Sequence, residues 1–148
     1  MERPDPLVTD QLRVLAVTWN IAGKTPEERE IKNLIHPDQI HHDIYAVGSQ
    51  EALNSITGSI FSPCKKKMNQ MIQNCLGNDY AMVSSVSLQA THLVVFINVR
   101  LCPLVQKIET DTIATGWQNM MGNKGAVKVS FNLAGQKFVF INSHLHSG

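Results

Sequence analysis

Apolar positions fall along this chain in short runs that switch between the strand period and the helix period. Leu12-Arg13-Val14-Leu15-Ala16-Val17 is a mostly apolar run suited to a buried strand, and it ends at Thr18-Trp19-Asn20. A loop with Gly23 follows. Thr25-Pro26-Glu27-Glu28 reads as a helix start, with Thr25 as N-cap, Pro26 at the first helical position and Glu28 closing a capping box. That helix is expected to end near Ile35, before His36-Pro37. Ile44-Tyr45-Ala46-Val47-Gly48 is a second apolar strand, running into Ser49-Gln50-Glu51. Ser62-Pro63 opens a second helix, carried by Cys64, Met68, Met71, Ile72, Cys75 and Leu76 at helical spacing and stopped by Gly77. The stripe reads as core, so its cysteines are packing residues rather than metal ligands.

Two more strands are expected, Tyr80 to Val86 and Leu93 to Val99, around a turn at Gln89-Ala90. Residues 109–124 carry no clear period, and Thr115 to Gly125, with three glycines, reads as an ordered surface loop. Val127, Val129, Phe131 and Leu133 then alternate with Lys128, Ser130 and Asn132, which is a strand with one wet face. After a tight turn at Ala134-Gly135, Phe138 to Ile141 forms a buried strand that delivers Asn142 and His144. Residues 1–10 read as a frayed lead-in and 11–148 as one domain or part of one. About six strands and two helices place the chain in the α/β (α+β) class.

Composition narrows the functions. A net charge of +1 argues against a general polyanion binder such as a nucleic-acid protein, while leaving room for a phosphate-bearing substrate held by a few local cations. The run Lys65-Lys66-Lys67 reads as a solvated helix face, too short for a polybasic lipid patch. Three cysteines without a pairing pattern fit a reduced interior. The polar, proline-broken start is no secretory signal, and the longest uninterrupted apolar run, Leu93 to Ile97, is far too short to span a bilayer. A cytoplasmic protein, peripheral at membranes when it visits them, is expected. No protein partner is readable.

The candidate chemistry lies at strand ends. One apolar strand leads to Asn20, the next to Glu51, and the last to Asn142 and His144. Polar groups just past strand C-termini are where open α/β sheets place ligands. If the three strands are neighbours, one carboxylate, two carboxamides and an imidazole meet on one edge. That oxygen-rich set suits Mg²⁺, with Glu51 as ligand and Asn20 beside it; zinc would want more histidines or cysteines. His144 and His146, two apart on extended chain, point to opposite faces, and His41-His42 reads as a surface pair. Taken singly, Asn20, Glu51, Lys124 and His144 each more often serve a local structural role.

Taken together, Thr18-Trp19-Asn20, Gln50-Glu51, Thr115-Gly116 with Gly122-Asn123-Lys124-Gly125-Ala126-Val127, and Asn142-Ser143-His144-Leu145 with Gly148 resemble, in the same order, the inositol polyphosphate 5-phosphatases of the endonuclease/exonuclease/phosphatase superfamily. The resemblance runs from about Leu12 to Gly148. It implies the N-terminal half of a four-layer α/β/β/α sandwich, a partial catalytic domain. It implies Mg²⁺ on Glu51 with Asn20 in or beside the metal shell, His144 on the scissile phosphate with Asn142 grouped beside it as catalytic, and Asn123 and Lys124 on other phosphates of the substrate. The implied reaction is in-line attack of water on the 5-phosphate of an inositol polyphosphate or phosphoinositide. The family's later motifs, which supply the water-activating aspartate and a second histidine, do not occur in these 148 residues. The chain is therefore expected to be a fragment with little turnover and poor stability of its own. Two rival readings stand beside it: another superfamily phosphodiesterase or nuclease, and a non-catalytic protein that binds phosphoinositide head groups.

Overall fold

The computed structural model describes residues 11–52, 63–115 and 124–145. In chain order the elements are β1 (Val14–Asn20), α1 (Glu28–Ile35), β2 (Ile44–Gln50), α2 (Pro63–Leu76), β3 (Tyr80–Leu88), β4 (Thr91–Asn98), a 3₁₀ turn (Val99–Leu104), β5 (Val105–Ala114), β6 (Gly125–Leu133) and β7 (Gln136–His144).

Two sheets form. The first has the order β1-β2-β4-β3, with β1 parallel to β2 and the other pairs antiparallel; the second is the antiparallel meander β5-β6-β7. Strands β2 and β4 are buried along their whole length, because each of their faces is covered by a different layer. Tyr45, Val47, Val94 and Phe96 point one way, onto Ile31 and Ile35 of α1 and Met68 and Ile72 of α2. Ile44, Ala46, Val95 and Ile97 point the other way, onto Val127, Val129 and Phe131 of β6. The period-2 alternation of two central strands thus builds two cores, and the layer order is helix, sheet, sheet. Phe131 closes the inter-sheet core by stacking on Phe138 and Phe140 at ring separations of 5.7 and 6.2 Å.

The runs at Leu12–Val17 and Phe138–Ile141, expected as buried strands, are instead the half-exposed strands β1 and β7, because each is a sheet edge among the described residues and has at most one covered face. The elements depart from the sequence reading in four further places. First, α1 starts later: Glu27 is the N-cap, and Glu30 rather than Glu28 closes the box, its carboxylate accepting from the Glu27 N–H at 2.8 Å. The carboxylate pair does here what Thr25 and Glu28 were expected to do, further along the chain. The helix C-terminus falls where expected, with His36 in the left-handed conformation. Second, a seventh strand, β5, occupies the stretch without a clear period. It is an edge strand exposed at most of its positions, so no inward face selects apolar residues. Third, Lys65 is buried rather than solvated and its ammonium donates to the Gln89 carbonyl, whereas Lys66 and Lys67 are not buried in this way. Fourth, His42 is half-buried against Tyr45, while His41 is exposed as expected. The expected lead-in, most of the 115–125 loop and His146 lie outside the described residues.

On one side of the sandwich β3 lies over β5 and β6. On the other, β1 and β7 are both sheet edges among the described residues, and a cleft of about 240 Å³ opens beside them, lined by Ala16, Ala46, Leu93 and Phe140. Val139 and Ile141 of β7 are 48% and 65% exposed. Unpaired edges beside exposed apolar side chains favour edge-to-edge association. Sedimentation at rising concentration is expected to show self-association, and Ile141→Lys to shift the protein towards monomer without altering its circular dichroism. Identical association of the variant would contradict this.

Candidate functional site

The three strand ends meet, although in a way the sequence does not spell out. Strands β1 and β2 are parallel neighbours, with Asn20 opposite Gln50, so both deliver their last residues to the same edge. Strand β7 belongs to the other sheet. It reaches the same edge from across the sandwich, and this brings His144 Nε2 to 3.7 Å from Glu51 Oε1. The β6–β7 register places Gly125 opposite His144, which sets Lys124 beside the imidazole; Lys124 Nζ and His144 Nε2 are 2.7 Å apart. An ammonium has only protons to offer, so Nε2 accepts and the neutral ring carries its proton on Nδ1. That Nδ1 is buried and has no hydrogen-bond partner among the described residues.

Glu51 is the exposed member, with its side chain 45% accessible, against 14% for His144. Its backbone is left-handed, φ 55°. For a non-glycine residue that conformation costs of order 1–3 kcal/mol and persists only where the surroundings enforce it. The surroundings do so on both sides. The Gly23 N–H donates to the Glu51 carbonyl at 2.9 Å, the Ile21 N–H to the Gln50 carbonyl at 3.0 Å, and the Ala52 N–H to the Ala90 carbonyl at 3.0 Å. The first two bonds tie the β1 loop to the β2 end, and the third anchors the chain just past the turn. Asn20 Oδ1 accepts from the Ala22 N–H at 2.9 Å, an Asx-type turn that holds the carboxamide at the rim of the same loop.

Asn142, grouped with His144 in the sequence reading, stands behind these groups rather than among them. Its side chain is buried and its amide is fully used: Oδ1 accepts from Gln50 Nε2 at 2.5 Å and from the Thr18 hydroxyl at 3.5 Å, while Nδ2 donates to the carbonyls of Ser49 at 3.0 Å and His92 at 2.8 Å. Asn123 lies outside the described residues. Thr18 and Gln50 belong to motifs visible in the sequence, but nothing there marked their side chains as members of one buried network with Asn142; that depends on the approach of the two sheets.

What can this edge hold? Glu51 offers it an anionic oxygen, next to a lysine and a histidine. Among the described residues no group of three or more His, Cys, Asp or Glu forms a ready-made metal cage. A hard divalent cation fits that donor set, because it takes one or two protein carboxylates and completes its shell with water and phosphate oxygens. Zinc does not fit, since it wants three or four ligands rich in nitrogen or sulfur. Neither described cysteine side chain takes part: Cys75 packs against the helix-side core and burial pushes its thiol pKa up, while Cys102 is exposed on the 3₁₀ turn; the Cys64 side chain lies outside the described residues.

Residues 17–148 match the endonuclease/exonuclease/phosphatase family 2. Among curated relatives, the human phosphatidylinositol 3,4,5-trisphosphate 5-phosphatase 1 is 30% identical over 99% of this chain, which spans only 12% of that protein. The Saccharomyces cerevisiae polyphosphatidylinositol phosphatase INP53 is 26% identical over 95% of the chain and 13% of its own length. Among solved structures, the inositol polyphosphate 5-phosphatase domain of SPsynaptojanin, in complex with inositol (1,4)-bisphosphate and calcium ion, superposes with a TM-score of 0.73 at 27% identity, covering 93% of this chain and 41% of that one. The Cimex nitrophorin ferrous NO complex superposes with the same TM-score of 0.73 at 19% identity, over 90% of this chain and 46% of that one. The fold alone therefore does not choose the chemistry; the residues at the edge must.

Proposed function

Because the chain belongs to the endonuclease/exonuclease/phosphatase family, we propose that its strand-end cluster is the cation- and phosphate-binding part of a Mg²⁺-dependent phosphatase that removes the 5-phosphate from inositol polyphosphates or phosphoinositides. The observation that carries this reading is the convergence of Glu51 from one sheet with His144 and Lys124 from the other. The names of the relatives supply the substrate class, and the calcium ion of the related 5-phosphatase domain supports a divalent cation.

In this reading Glu51 binds the cation through its exposed carboxylate, with Asn20 at the rim. The cation, when bound, polarises a phosphoryl oxygen and neutralises charge that builds up in the transition state. Lys124 and His144 form the opposite wall. The ammonium that meets His144 Nε2 at 2.7 Å is free to turn onto a phosphate oxygen. Once it turns, a phosphate oxygen is a better acceptor for an imidazole proton than the buried surroundings of Nδ1 provide. Asn123 adjoins Lys124 in sequence and is assigned with it to substrate binding on that ground alone.

The test follows phosphate release from a soluble inositol polyphosphate and from phosphoinositide vesicles, with and without Mg²⁺. Mg²⁺-dependent loss of the 5-phosphate supports the reading, even at a low rate. Nicking of abasic DNA in place of inositol phosphate hydrolysis would overturn it, and Mg²⁺-dependent binding without any release would reduce it to a head-group binder. Lys124→Ala removes one charge-assisted hydrogen bond, each worth about 1.5–3 kcal/mol. It is expected to weaken inositol polyphosphate binding about 10- to 100-fold by calorimetry, while cation binding persists. Unchanged affinity would take Lys124 out of the site.

A further inference from the structure

Glu51 and His144 reach one another from different sheets, so something must fix how the sheets meet at this edge. The packing of apolar side chains between the sheets gives no direction along the strands. A buried polar connection beside the site does. Gln50, immediately before Glu51, is 8% exposed, and its Nε2 donates both to Thr18 Oγ1 of β1 at 2.7 Å and to Asn142 Oδ1 of β7 at 2.5 Å. Asn142, two residues before His144, is 5% exposed and sends its two amide protons to the Ser49 and His92 carbonyls of β2 and β4. The pair thus ties three strands of one sheet to β7 of the other. The approach is close enough that β2 has no side chain at the crossing: a Cβ on Gly48 would lie 2.7 Å from Asn142 Cγ.

We propose that the buried Gln50–Asn142 carboxamide pair is a positioning element, which sets the carboxylate of Glu51 against the imidazole of His144 and touches neither cation nor substrate. Each carboxamide lies close in sequence to a residue it would position. Gln50 leads directly into the left-handed turn at Glu51, and Asn142 projects inward from the strand that carries His144 on the same face, two residues on. Both polar atoms of Asn142 and the amide nitrogen of Gln50 are bonded, so the geometry is specified by directional bonds and not by shape alone. What the positioned pair binds rests on the proposed function; that the carboxamides position it does not.

The test uses the full chain and Gln50→Met, which keeps the length and burial of the side chain and removes its hydrogen bonds. Two readings are taken after circular dichroism has shown the fold retained. One is the nuclear Overhauser effect between the Glu51 methylene protons and the His144 ring. The other is Mn²⁺ affinity, measured from the free ion by electron paramagnetic resonance. In Gln50→Met the Overhauser effect is expected to vanish and Mn²⁺ affinity to fall about 10- to 100-fold, the usual result of removing an outer-shell partner. Gln50→Asn, which keeps the amide but shortens its reach, is expected to recover part of both. An undiminished Overhauser effect between Glu51 and His144 in Gln50→Met would overturn the proposal whatever the metal does. Should the effect vanish in Gln50→Met while the wild-type protein binds no Mn²⁺, the positioning role stands and the cation reading falls instead. If Gln50→Met does not fold, Thr18→Val removes the hydroxyl from the network and is read the same way, with smaller shifts in the same direction.

Discussion

Glu51→Gln is expected to remove divalent-cation binding, lowering Mn²⁺ or Mg²⁺ affinity by on the order of 100-fold or more, since loss of an outer-shell partner alone costs 10- to 100-fold. Charge is the cause. Glu51 places the anionic oxygen of the cluster at the edge, its side chain nearly half exposed, while Lys124 and His144 supply only nitrogens. A carboxamide of the same shape leaves the turn and its backbone bonds intact but gives up the net negative charge that a hard cation needs. No group of three acidic, histidine or cysteine side chains among the described residues offers a second site. Stability should stay nearly unchanged, because the carboxylate is exposed rather than built into a buried network. Thermal unfolding without cation and cation titration together therefore separate a lost ligand from a lost fold. A variant that binds the cation as well as the wild type would show that Glu51 is an ordinary loop carboxylate.

The second large effect concerns stability and pH. His92 on β4 is 2% exposed, with Nδ1 at 2.7 Å from the Ser87 hydroxyl and Nε2 at 2.8 Å from Asn69 Oδ1. The carboxamide oxygen can only accept, so Nε2 carries the proton and Nδ1 accepts from Ser87; the neutral ring is fully satisfied. Burial, and then the charge of nearby Lys65, lower its pKa from 6.5 to about 4. The unfolded chain therefore binds a proton that the folded chain refuses between those values, and stability falls as pH drops through that window. At about 1.36 kcal/mol per pKa unit the loss approaches about 3 kcal/mol near pH 4, a large part of a typical total of about 5–15 kcal/mol. Urea unfolding at several pH values from neutral down towards that pKa should show it, and His92→Gln should flatten that part of the profile. Equal slopes in both proteins would assign the pH dependence to carboxylates elsewhere.

Much of this was legible in the chain before folding, and the limits have physical causes. The buried strands β2 and β4 declare themselves because both their faces are covered and their residues are largely apolar. The first helix declares itself through its capping residues and the break at His36-Pro37, the second through Met68 and Ile72, four apart. Strand β5 does not, since an edge strand exposed to water has no pattern to show. Asn20, Glu51 and His144 were findable as polar groups at the ends of apolar strands. Their meeting was foreseen only if the three strands were neighbours; β7 in fact comes from the other sheet, and the approach of two sheets is something a linear pattern does not encode. The pairing of Lys124 with His144 follows from the β6–β7 register, which the tight turn at Ala134-Gly135 fixes but does not advertise. Lys65 misled for a related reason: its side chain is buried while its ammonium finds a carbonyl, and a run of three lysines looks the same whether or not one turns inward.

The most direct test of the proposed site is a calorimetric titration of the protein with a soluble inositol polyphosphate bearing a 5-phosphate, in the presence and absence of Mg²⁺. Binding that requires Mg²⁺ and disappears in Glu51→Gln is the predicted result, since cation and phosphate would share one site at the meeting of β2 and β7. Binding indifferent to both Mg²⁺ and Glu51, or no binding at all, would contradict it.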